Sequence, residues 1–95
     1  MYFLIDEKNN RVKGFKNLGI AARQTLDLLG GTVPESGDPV KTLFNHPLYG
    51  SDVQVLRLSA VFRLISENIA SGKTKQASIL AENLSMAVDE FYKKR

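Results

Sequence analysis

The chain opens on four consecutive apolar residues, Tyr2-Phe3-Leu4-Ile5, turns polar from Asp6 to Asn10, and resumes with Arg11-Val12-Lys13-Gly14-Phe15. Two β-prone runs around a polar stretch predict a β-hairpin over residues 1–15. Asn9 and Asn10 suit the turn because asparagine tolerates positive φ better than most residues. A four-residue loop from Glu7 to Asn10 would set Ile5 opposite Val12 and Asp6 opposite Arg11, an apolar pair beside a charge pair. A two-residue Asn9-Asn10 loop is the competing register. A lone hairpin is marginal in water, so one face must pack on helices or extend a partner's sheet.

Beyond Phe15 the apolar positions follow a helical period. Asn17 is placed to cap a helix over 17–29 that Gly30-Gly31 stops. Leu18, Ala21, Ala22, Thr25, Leu26, Leu28 and Leu29 share one side of it, and Ile20 falls out of pattern. Residues 30–38 carry Gly, Pro and Ser and predict a loop. Asp38 followed by Pro39 is an N-cap and an N1 proline, opening a short helix over 38–46 that Pro47 ends.

Ser51-x-x-Gln54 fits a capping box, so a long helix is predicted over 51–71. Gly72 would close it, and Thr74 would cap a last helix over 74–94. Val55, Leu58, Phe62, Ile65 and Ile69 on the first helix are spaced 3-4-3-4. Ala77, Ala81, Leu84, Val88 and Phe91 on the second are spaced 4-3-4-3. Such seams predict that the two helices pack on each other as an antiparallel hairpin. Leu56 and Leu64 form a second apolar stripe on the first helix, and Ile79 and Met86 stand on the far side of the second. A helix apolar nearly all round is buried on both sides, so these four residues are the candidates for an oligomer interface. The fold class expected is therefore α+β, one domain of 95 residues: a hairpin, a small helical bundle and a long helical hairpin.

Composition removes whole classes of chemistry. With no Cys there is no disulfide, thiolate nucleophile or cysteine-held metal, and one histidine, His46, excludes a two-His metal site. No cofactor or metal is expected. No run approaches the ~20 apolar residues that cross a bilayer, and Tyr2–Ile5 is too short for a signal sequence, so a cytoplasmic location is expected. The net charge of +3 is mildly basic.

The candidate chemistry is correspondingly sparse. Gly72-Lys73-Thr74 lacks the earlier glycine of a phosphate loop, Glu67 standing in its place, and it follows a helix instead of a strand. Lys73 and Lys75 beside a helix N-terminus could still hold an anion. Leu80-Ala81-x-x-Leu84 hints at a helix-turn-helix, but the seam runs unbroken to Phe91. Gln54, Arg57, Val61 and Asn68 form a strip between the two stripes of the 51–71 helix, with Arg57 as the charge that would meet a partner or an anionic ligand. Lys8, Arg11, Lys13 and Lys16, interleaved with Tyr2, Phe3 and Phe15, are the set a nucleic-acid-binding strand would use. His46 suits a helix end bonding a carbonyl better than acid–base work. The reading expected from all this is a non-enzymatic, self-associating binding or regulatory protein, of inhibitor or accessory type by size alone. Its partner would be a protein or a small anionic ligand. Nucleic acid is the alternative.

Overall fold

The computed structural model describes residues 1–30, 37–51 and 53–93, and in it Asp6 and Asn9 build the first reversal of the chain. The Asp6 carboxylate accepts from the Asn9 backbone N–H at 3.3 Å and from Asn9 Nδ2 at 3.0 Å, while Asn10 takes a φ of 53°. This is the four-residue loop: β1 (Tyr2–Asp6) pairs antiparallel with β2 (Arg11–Phe15), Ile5 opposite Val12 and Asp6 opposite Arg11. The Asp6 carboxylate is committed to the turn, so the charge pair anticipated with Arg11 is replaced by an aspartate–asparagine turn.

Helix α1 (Leu18–Leu29) starts where Asn17 accepts from the Ile20 N–H at 2.9 Å and ends at Gly30, φ 76°. Helix α2 (Pro39–Phe44) starts where Asp38 accepts from the Val40 N–H at 2.9 Å. Six positions of the expected 30–38 loop, 31–36, lie outside the described residues, as do 52, Lys94 and Arg95.

The expected helix over 51–71 is two elements, β3 (Gln54–Arg57) and α3 (Leu58–Ala70). Ser51 caps nothing: its hydroxyl donates to the Leu48 carbonyl at 3.3 Å, and Gln54 lies in the strand with Nε2 3.5 Å from the Gly50 carbonyl. The physical reason is the free edge of β1. Val53 and Val55 are β-branched, and pairing β3 along β1, with Phe3 opposite Leu56 and Ile5 opposite Gln54, satisfies backbone groups that β1 would otherwise leave open. The sheet is antiparallel throughout, in the order β2-β1-β3.

Side chains alternate across this sheet, and both faces are covered. On one face Leu4, Phe15, Val53 and Val55 pack with Ala21, Ala22 and Leu26 of α1 and Leu43 of α2. On the other, Phe3 and Ile5 pack with Val61 of α3 and with Leu80, Leu84 and Ala87 of α4 (Thr74–Lys93). Helices α3 and α4 form a helical hairpin, Gly72 turning it at φ 81° and Thr74 serving as the first helical residue instead of the cap. The α3 seam is rotated from the expected one, while α4 keeps Ala77 and Leu84 buried and Val88 against the core as expected, with Ala81 alone turned out. Phe62 and Ile69 are 56% and 55% exposed and Ala81 is exposed, whereas Val61 and Asn68, one position back, are buried. Each helix must face both the sheet and its neighbour, so the buried stripe lies between those two directions.

Candidate functional site

A three-stranded sheet has two edges, and this one treats them differently. At β3 the Tyr49 hydroxyl accepts from the Val55 N–H at 3.2 Å and donates to the Val55 carbonyl at 3.3 Å. The Tyr49 ring is held against Phe44, centroids 5.0 Å apart. That edge is plugged. At β2 the outer side is instead a groove of about 520 Å³ running between the strand and α4. Arg11, Val12, Lys13, Gly14 and Lys16 form its sheet side, and Ala87, Glu90 and Phe91 form its helix wall.

Local rules explain each member. Arg11 and Lys13 are two apart on a strand and project from the α1 face, whereas Val12 and Gly14 face α4. Lys13 is held on its side: Nζ donates to Gln24 Oε1 at 3.1 Å and lies 5.4 Å from the Phe15 ring centroid. Gly14 leaves room for the Phe3 ring. A Cβ there would stand 3.3 Å from Phe3 Cε1 and 3.7 Å from Phe91 Cβ, and Phe3 is fully buried. The helix is pinned at the turn end, where Asn83 Nδ2 donates to the Asn10 carbonyl at 2.8 Å and Gln76 Nε2 reaches Glu7 Oε2 at 3.5 Å. Three exposed cations therefore stand along an edge that no strand among the described residues pairs, with one carboxylate, Glu90, opposite.

The residues expected from sequence distribute unevenly over this structure. Arg11, Lys13 and Lys16 come together in the groove; Lys8 sits exposed in the turn outside its lining. The aromatics meant to accompany them do not: Phe3 and Phe15 are core, and Tyr2 is half-buried. Gln54, Arg57, Asn68, Lys73 and Lys75 form no single site. Gln54 and Arg57 belong to β3, and Lys73 and Lys75 lie beyond the other end of α3, a helix about 20 Å long. Arg57 shares a second groove with Arg63, of about 490 Å³, beside Tyr2 and Phe44. Asn68 is buried with Nδ2 unpartnered.

The interface candidates also separate. Met86 is 62% exposed, but Ile79 is half-buried against the hairpin turn, and Leu56 and Leu64 pack on the Phe3 cluster. His46 accepts at Nδ1 from the Leu48 N–H at 3.1 Å, so it bonds a backbone N–H in the turn where a carbonyl was expected. Gly14, Ala87, Glu90 and Phe91 were not singled out as site residues. An isolated glycine within a strand was the available signal, since it marks close backbone approach.

Among the described residues no three His, Asp or Glu side chains gather as metal ligands, and no helix is long and apolar enough to cross a membrane. No family model matches the chain, and neither the curated proteins nor the solved structures match it.

Proposed function

We propose that this is a non-enzymatic binding protein, acting in the cytoplasm, whose working surface is the groove between β2 and α4. Its occupant is an anionic segment of a partner protein. The observation that carries the reading is the alignment of Arg11, Lys13 and Lys16 along an open strand edge with Glu90 as the one carboxylate of the lining. Electrostatic complementarity of this kind steers encounter and selects partners by sign. A nucleic acid would meet the same cations, but the burial of Phe3 and Phe15 leaves it no aromatic platform from those strands. A small anion at Arg57 and Asn68 is disfavoured because those residues do not converge.

Self-association belongs to the same proposal, through a different surface from the one expected. Leu58, Phe62 and Ile69 are all exposed on one flank of α3, 38%, 56% and 55% respectively. Large apolar side chains gathered on one helix flank are characteristic of contact surfaces.

Fluorescence anisotropy with a labelled Asp/Glu-rich peptide and with oligothymidylate tests the groove. The acidic peptide should bind the wild type and lose binding to the variant R11E/K13E/K16E, whose circular dichroism should be unchanged. Oligothymidylate binding more tightly, with a log–log salt slope of about −0.7 per phosphate, would replace the partner protein by nucleic acid. Binding of neither probe would sink the proposal.

A further inference from the structure

We infer that the partner segment enters the groove as an added β-strand, hydrogen-bonded to the free edge of β2, with acidic and small apolar side chains in alternation. This rests on the reading of the groove as the anion-binding surface, and adds to it a mode of binding, a sequence pattern and a stoichiometry.

The edge geometry follows from Tyr49. Its hydroxyl takes both the N–H and the C=O of Val55, so those groups point away from β1. In an antiparallel ladder the two main-chain groups of one residue share a direction, and that direction reverses at each step. Leu4, opposite Val55, therefore turns its groups the other way, towards Lys13, and the two form a hydrogen-bonded pair. Val12 and Gly14, on either side of Lys13, are left with N–H and C=O groups directed into the groove. A strand of five residues with such an edge is a template for one more strand.

Charge decides what that strand is. A second copy of β2 would set Arg11 and Lys13 against their own kind, and like charges across a ladder repel, so self-pairing is discouraged. An acidic strand is attracted by the same residues. On its α1 side the incoming strand lies beside Arg11 and Lys13, which calls for Asp or Glu. On its α4 side it meets Ala87 and Phe91, which calls for small apolar residues. Strand geometry presents these two requirements at alternate positions. Tyr49 occupies the opposite edge at Val55, so each protein takes one strand.

The test uses the wild-type protein and labelled short peptides: an alternating Glu/Val sequence, the same composition in two blocks, and the alternating sequence N-methylated on one alternate set of residues or on the other. The alternating peptide should bind one to one and about tenfold or more tighter than the block peptide. One of the two methylated forms should lose at least as much while the other binds as the parent, because only one set faces β2. Hydrogen exchange at the Val12 and Gly14 amides should slow on binding, with Lys13 little changed. Equal binding of all four peptides with unaltered exchange would overturn strand addition and leave the anionic groove standing. Failure of every acidic peptide to bind would remove the groove reading itself and the strand with it.

Discussion

Asn68 is the residue at which the packing of the helical hairpin can be put to a quantitative test. It is 8% exposed on the stripe of α3 that also buries Val61, and its Nδ2 has no hydrogen-bond partner. A buried donor without an acceptor forfeits its hydration, a cost of ~1–3 kcal/mol, and asparagine is a poorer helix former than leucine by a few tenths. Asn68→Leu removes the donor at similar size and extends the apolar stripe. After a deduction for imperfect fit of the branched side chain, stabilisation of ~1–2 kcal/mol is expected, an upward Tm shift of ~5–15 °C for a chain this size. Asn68→Asp, which places a carboxylate on the same buried stripe, should destabilise by ~1–3 kcal/mol. Urea denaturation followed by circular dichroism measures both, with m values unchanged if the compactness of the two end states is. If Asn68→Leu destabilises while Asn68→Asp is tolerated, the position is polar and well satisfied, and the stripe assigned to α3 is wrong.

Phe62→Glu should change stability by less than ~1 kcal/mol, because the ring is more than half exposed, and in sedimentation velocity it should move an associating wild type towards monomer. Leu84→Ala, at a side chain 4% exposed, should instead cost ~2–5 kcal/mol, and equal effects of the two would refute the rotated seam. Tyr49→Phe removes the hydroxyl bonded at 3.2 and 3.3 Å to Val55 and should cost ~0.5–1.5 kcal/mol, with faster amide exchange at Val55; unchanged exchange there would mean that the β3 edge is protected by something else.

Elements with a local mechanism were legible in the chain. Asn17, Gly30, Asp38-Pro39 and Gly72 each terminate or open a helix through their own side chain or backbone freedom, and each does so here. Of the two hairpin registers the chain allowed, the four-residue loop is the one formed, because Asp6 bonds Asn9 across it. β3 was hidden because it runs into α3 with no glycine or proline between them and with no side-chain cap at Arg57, so strand and helix merge into one apolar stretch. The evidence that would have separated them lies at the other end of the chain. Four consecutive apolar residues in β1 mean a strand covered on both faces, which a hairpin resting on one layer of helices cannot provide. The alternation Val53-Gln54-Val55 was then the natural neighbour.

The groove was legible only in part, and the division has a physical basis. Cations on a strand declare themselves one by one, so Arg11, Lys13 and Lys16 were found. Whether they face open solvent, a paired strand or a helix is decided by contacts between residues more than seventy apart. Asn83 bonded to Asn10 and Phe91 against Gly14 fix α4 beside the β2 edge, and no periodicity encodes them. The asymmetry of the two edges is more remote still. One tyrosine hydroxyl after α2 bonds β3 at Val55, and that contact, read through the alternation of the ladder, shows which residues of β2 face outward. The register of the ladder thus assigns Val12 and Gly14 as the outward donors and acceptors of β2, while the β3 edge is covered by Tyr49 at Val55 and by the Gly50 N–H at Val53.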